Sequence, residues 1–71
     1  MKALVTGATG FVGGAVVRAL VDRGIDVRVL ARAGADLQNL QGLPVERVEG
    51  DLRDQTSLRK SLMGCRQLYH V

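Results

Sequence analysis

The sequence predicts an α/β fold: half of a doubly wound fold, with a parallel sheet in the strand order 3-2-1-4 and helices on both faces. Three observations support this prediction. Four short apolar runs recur along the 71 residues, segments with helical character lie between them, and the glycine-rich stretch TGATGFVGG directly follows the first run. Because strands alternate with helices, right-handed crossovers should join them, and the sheet should be parallel.

The first strand and helix are the most clearly marked elements. A strand is predicted over Ala3–Thr6, and a helix begins near Phe11 and stops at Gly24, where a left-handed cap is expected. Four apolar residues of this segment share one helical face, while the charged residues point away from it. The four residues are Val12, Val16, Ala19 and Leu20.

The second strand is clearly marked in the sequence, whereas the helix that follows it is weakly marked. A strand rich in Val and Leu is predicted over Val27–Ala31, bounded by turn residues as a strand buried on both faces should be. A weak helix is predicted around Asp36–Leu40. It breaks at Gly42 and Pro44, because neither residue continues a helix well.

The last third of the chain repeats the alternation. The remaining strands are predicted over Val45–Glu49 and Gln67–Val71. Between them Asp54 can cap the free N–H groups of a helix, Leu58 and Leu62 align at four-residue spacing, and Gly64 ends it.

Composition excludes several classes of partner. The net charge of +3 comes from scattered basic residues, and the chain holds one Phe and one Tyr, so nucleic-acid binding is not expected. A single cysteine excludes an internal disulfide, and a single histidine beside it makes a metal site improbable. No apolar run approaches membrane-spanning length. These features predict a cytoplasmic chain that binds no membrane.

The glycine-rich turn predicts binding of a phosphate-bearing small molecule. Gly7 allows a sharp turn after the strand, Gly10 lets the backbone approach a phosphate, and Gly13 lets the helix pack closely. The helix starting near Phe11 adds unpaired N–H groups and a partial positive charge, which suit a diphosphate. A Walker loop is excluded, since no Gly-Lys-Ser/Thr follows. A tight connection that binds nothing is the alternative.

Four segments together resemble one enzyme family. TGATGFVG, VRVLAR, VEGDLRD and GCRQLYHV resemble the extended short-chain dehydrogenases/reductases, a superfamily of NAD-dependent epimerases and dehydratases. The last two segments are most similar to hopanoid-associated sugar epimerases and dihydroflavonol-4-reductase-like proteins. The resemblance implies that residues 1–71 are the N-terminal part of a single NAD(P)-binding Rossmann domain, truncated after the fourth strand.

The resemblance also implies which residues hold the dinucleotide. Members that prefer NAD end the second strand with a carboxylate; here that place is Ala31, followed by Arg32, which predicts NADP, with NAD possible. A solvated strand-end arginine is the alternative. Asp51 is expected to accept from the adenine amino group, and a carboxylate that only caps a turn is the alternative. The expected cofactor-binding residues are Gly7, Thr9, Gly10, Phe11, Val12, Gly13, Arg32, Asp51, Leu52 and Val71.

By the same resemblance, the full-length protein is an NADP-dependent reductase or epimerase acting on a nucleotide-sugar or a related hydroxyl or carbonyl compound. The family's catalytic Tyr-x-x-x-Lys pair is absent from these residues, because a lysine partner of Tyr69 would fall beyond Val71. A non-catalytic NADP-sensing regulator is the alternative, and a folding or assembly module is a third. The open edge of the fourth strand predicts self-association or coverage by the missing C-terminal part.

Overall fold

The computed structural model describes residues 2–71. Its elements in chain order are β1 (Lys2–Thr6), α1 (Phe11–Asp22), β2 (Asp26–Ala31), a 3₁₀ turn (Gln38–Leu40), β3 (Glu46–Glu49), α2 (Gln55–Leu62) and β4 (Gln67–His70). The strands form one parallel sheet in the order β3-β2-β1-β4. The predicted strand order 3-2-1-4 is confirmed.

One face of the sheet carries α1 and the 3₁₀ turn. Val5 of β1 stands opposite Val29 of β2 and Tyr69 of β4, and these paired residues face the same side. Burial of this apolar surface is the main source of stability in so short a chain. The buried cluster on this face consists of Val5, Ala8, Val17, Leu20, Val27, Val29 and Leu40.

The opposite face of the sheet carries α2. Arg28 and Leu30 alternate with the valines of β2, so their side chains point to this face. The Arg28 guanidinium donates from Nη1 to the carbonyl oxygens of Ser61 (2.7 Å) and Met63 (2.6 Å), at the end of α2. Its Nε donates to Glu46 Oε1 at 3.1 Å. A strand residue therefore satisfies carbonyls that a helix end leaves without partners.

The packed face of α1 agrees only in part with the face on which the sequence pattern grouped its apolar residues, since Leu20 is buried and Val16 packs against the core. Val12 is 63% exposed and Ala19 is also exposed. The prediction was wrong for Val12 and Ala19 because the pattern counts apolar side chains, whereas α1 makes its closest approaches through glycines that have none. The residues buried on α1 are Gly13, Gly14, Val17 and Leu20.

The weak helix predicted around Asp36–Leu40 is reduced to a single 3₁₀ turn of three residues. Asp36 Oδ1 accepts a hydrogen bond from the Gln38 N–H at 2.9 Å. A side chain that captures a nearby backbone donor in this way competes with helical hydrogen bonding. The turn nevertheless buries Leu40 completely against α1 and the sheet.

The caps predicted for α2 are present. Asp54 accepts from the Thr56 N–H at 3.0 Å and from Ser57 Oγ at 3.1 Å, and Gly64 follows the helix with a φ of +79°. Two strands are one residue shorter than predicted, since Val45 precedes β3 and Val71 follows β4. Among the described residues, no helix combines the length and apolar character needed to cross a bilayer.

Candidate functional site

The turn between β1 and α1 depends on the backbone of Gly7. Its φ of +71° lies in the left-handed region, which residues with a Cβ rarely adopt. A Cβ added at Gly7 would also collide with the carbonyl oxygen of Val71, whose own N–H donates to the Thr6 carbonyl at 3.1 Å. The end of β4 is thereby held against the start of the turn.

The second and third glycines have opposite surroundings. Gly10 caps α1 with an extended backbone, and a Cβ added there would come no closer than 3.8 Å to any protein atom, the Gly7 carbonyl oxygen. A Cβ added at Gly13 would collide with that same oxygen and lie 2.7 Å from Ala8 Cα. Gly10 therefore borders open space, whereas Gly13 fills a close contact between α1 and the turn.

The backbone N–H groups of residues 8–13 donate to no carbonyl or side chain within residues 2–71. Gly10 accepts the first helical hydrogen bond, from the Gly14 N–H at 2.9 Å, and the first turn of α1 contains no acidic side chain. Free N–H groups at a helix N-terminus carry a partial positive charge. The turn therefore offers donors and positive potential to an anion.

A cleft of about 370 Å³ opens beside this turn, at the carboxyl ends of β1, β2 and β3. Five of the residues predicted from the sequence line it: Gly7, Thr9, Arg32, Asp51 and Leu52. The other residues that line the cleft, which are not among the predicted cofactor-binding residues, are Leu30, Ala31, Ala35, Gly50 and Arg53.

The other five predicted residues do not line the cleft. Phe11 and Val12 are exposed at the start of α1, by 86% and 63%. Val71 lies against Gly7 instead, and Gly13 is buried behind the turn. Gly10 stays within the turn, facing open space.

Asp51 is paired with Arg53, two residues further along. The carboxylate accepts from the Arg53 backbone N–H at 2.9 Å, and from its side-chain Nη2 at 2.8 Å and Nε at 3.2 Å. The Arg53 side-chain and backbone hydrogen bonds hold the pKa of Asp51 at about 2, below its ordinary 3.8, and the charge of Arg32 acts in the same direction. The cleft thus holds a carboxylate that stays ionised well into acid, beside two guanidinium groups.

Replacing Arg53 with alanine is expected to raise the pKa of Asp51 toward 3.8, because the dominant hydrogen bond is lost. Since the folded-state pKa is depressed, the pair stabilises the fold above about pH 4 and loses that contribution as the pH falls toward 2. NMR titration of the Asp51 carboxyl carbon measures the change. In the control Arg59→Ala, which removes an exposed arginine of α2, the pKa of Asp51 should stay at about 2.

Two residues near the site, Arg53 and Asn39, were not predicted from the sequence. Arg53 had a local signal, the two-residue spacing from Asp51. Asn39 had none, because its amide donates to the Thr9 carbonyl (3.0 Å) across 30 positions of sequence. His70, at the end of β4, shares a 2.8 Å hydrogen bond through Nδ1 with Oγ1 of buried Thr6.

The chain is similar in sequence to known proteins. The family profile described as the NAD dependent epimerase/dehydratase family matches residues 3–71. Sterol demethylase protein B of Methylococcus capsulatus is 53% identical over 71 residues, which cover 100% of this chain and 22% of that protein. Dihydroflavonol 4-reductase of Zea mays is 37% identical over 76 residues, covering 96% and 21%.

A solved structure extends the comparison to the backbone. The UDP-glucose 4-epimerase of Thermus thermophilus, in complex with NAD, matches with a TM-score of 0.81 and 33% identity, covering 99% of this chain and 23% of that one. The chain therefore spans about a fifth of the length of the relatives it matches.

Proposed function

The chain belongs to the NAD-dependent epimerase/dehydratase family, and we propose that it forms the dinucleotide-binding half of an NADP(H)-dependent reductase or epimerase. The substrate of the whole protein would be a nucleotide-sugar or a related hydroxyl or carbonyl compound. The observation that supports this best is the turn of residues 8–13, whose free N–H groups adjoin a cleft that contains Arg32 and Asp51.

The residues present fit a dinucleotide. The diphosphate would lie on the turn, where Gly10 leaves open space that a side chain would occupy and Thr9 offers a hydroxyl. The adenosine would occupy the cleft, with Asp51 as acceptor for the adenine amino group and Leu52 as an apolar wall. The nicotinamide of the bound dinucleotide would supply hydride transfer.

The preference for NADP(H) rests on the end of β2. Ala31 stands where an NAD-preferring site places a carboxylate, and the next residue, Arg32, lines the same cleft. A guanidinium binds a phosphate through two parallel N–H donors. Because residue 31 is an alanine, there is no carboxylate at that position to repel a 2′-phosphate. NAD is the second candidate.

Titration of the full-length protein with NADPH and NADH by calorimetry tests the proposal. We expect both dinucleotides to bind, with NADPH at least about tenfold tighter, a difference of about 1.4 kcal/mol. Absence of binding by both would contradict the proposal. Binding of NADPH with neither net oxidation of NADPH by carbonyl compounds nor epimerisation of nucleotide-sugars would favour the non-catalytic sensor.

The outer edge of β4 has no strand paired to it within residues 2–71, and Leu68 on that strand is half-exposed. We propose that other segments of a longer protein cover this edge, since the chain spans only about a fifth of its relatives' length. Sedimentation of the two proteins tests this proposal. The isolated 71-residue chain should self-associate, whereas the full-length protein should not do so through β4. A folded monomer of the isolated chain at micromolar concentration would count against this.

A further inference from the structure

Asn39 links the 3₁₀ turn to the glycine-rich turn and to α1. Its side-chain Nδ2 donates to the Thr9 carbonyl at 3.0 Å. Its backbone carbonyl accepts from Arg18 Nη2 at 3.2 Å, so α1 holds the Asn39 backbone in place. Gly14 permits the approach, since a Cβ added there would lie 3.1 Å from Asn39 Cβ. The neighbouring Leu40, fully buried, anchors the turn in the core.

The hydrogen bond to Thr9 determines how one peptide plane is oriented. The peptide bonds of the described chain are trans, so the Thr9 carbonyl and the Gly10 N–H point in opposite directions. Because Asn39 holds the carbonyl on its own side, the Gly10 N–H is directed away from Asn39. This N–H has no acceptor within residues 2–71, and it belongs to the glycine that borders open space.

We propose that Asn39 is a positioning residue for diphosphate recognition: its amide fixes the Thr9–Gly10 peptide so that the backbone donors of the turn are arranged before the ligand arrives. This inference rests on the proposed function and deepens it. A donor that is already oriented does not have to be ordered when the ligand binds, so the affinity is higher. The effect should be confined to ligands that carry a diphosphate.

Three variants of the full-length protein test this role. Asn39→Ala removes the donor, and Asn39→Asp keeps the shape but places a carboxylate against the Thr9 carbonyl. Gln38→Ala is the matched control, because Gln38 lies in the same 3₁₀ turn, is exposed, and makes its one hydrogen bond to a side chain through its backbone N–H. The ligands are NADPH and ADP, which contain a diphosphate, and adenosine 2′-monophosphate, which does not.

Both Asn39 variants should weaken NADPH and ADP by about tenfold, the usual effect of one lost hydrogen bond, and change adenosine 2′-monophosphate by less than about twofold. Gln38→Ala should bind all three ligands like the wild type. The inference is overturned if the Asn39 variants match this control, or if all three ligands weaken equally, which indicates a general structural role. If the wild type binds none of the ligands, the proposed function fails, and this inference with it.

Discussion

Gly13→Ala is expected to destabilise the fold, whereas Gly10→Ala should leave the fold nearly intact and abolish much of the dinucleotide affinity. At Gly13 the added Cβ would meet Ala8 Cα at 2.7 Å and collide with the Gly7 carbonyl oxygen. These are backbone atoms of a tight turn, so the clash can be relieved only by moving α1 or the turn. Overpacking of this kind typically costs about 1–3 kcal/mol. Urea unfolding of the full-length variant measures the loss.

At Gly10 the same methyl group meets no protein atom closer than 3.8 Å, and the backbone conformation (φ −77°, ψ 174°) is ordinary for alanine. The stability cost is that of a poorer helix N-cap, at most about 1 kcal/mol. The methyl group would nevertheless occupy the space in which the diphosphate is proposed to lie. We therefore expect NADPH affinity to fall by at least about tenfold.

Each glycine variant is the control for the other. Calorimetric titration with NADPH and urea unfolding are to be run on both. If Gly10→Ala binds NADPH as tightly as the wild type, the diphosphate does not approach the backbone at this glycine. If Gly13→Ala is as stable as the wild type, the close contact between α1 and the turn is not a real constraint on the fold.

Arg32→Asp is expected to lower NADPH affinity by about 100-fold while leaving NADH affinity unchanged or improved. A charge-assisted hydrogen bond is worth about 1.5–3 kcal/mol, and the new carboxylate would also repel the 2′-phosphate. NADH carries no 2′-phosphate to be repelled, and the new carboxylate lies one residue past Ala31, the position from which NAD-preferring sites bind the ribose hydroxyls. The ratio of the two dissociation constants is the quantity to measure.

The matched control for this reversal of charge is Arg59→Asp. Arg59 is exposed on α2 and does not line the cleft, so the variant changes the net charge equally without touching the site. It should leave the NADPH to NADH ratio unchanged. If Arg32→Asp also leaves that ratio unchanged, Arg32 is a solvated strand-end residue and the preference for NADP(H) loses its basis.

Much of the architecture could be predicted from the chain itself. Apolar runs bounded by turn residues marked all four strands to within one residue, because each strand is only four to six residues long and is limited by local signals. The Asp54 cap was predictable for the same reason, since it contacts residues two and three positions away. The left-handed Gly7 also lies in a local pattern, directly after a strand.

The order of the elements, the parallel sheet and the glycine-rich turn could be predicted from residue patterns alone, because each depends on signals that span a few residues. The buried face of α1 became clear only from the packing of the folded chain, since the closest contacts of this helix involve Gly13 and Gly14, which have no side chain to mark them in the sequence. The contacts of Asn39 with Thr9 and of Arg28 with the end of α2 likewise depend on the folded chain. Such pairs join residues about 30 positions apart, and no local pattern of residue types records which distant backbone groups a fold will bring within hydrogen-bonding distance.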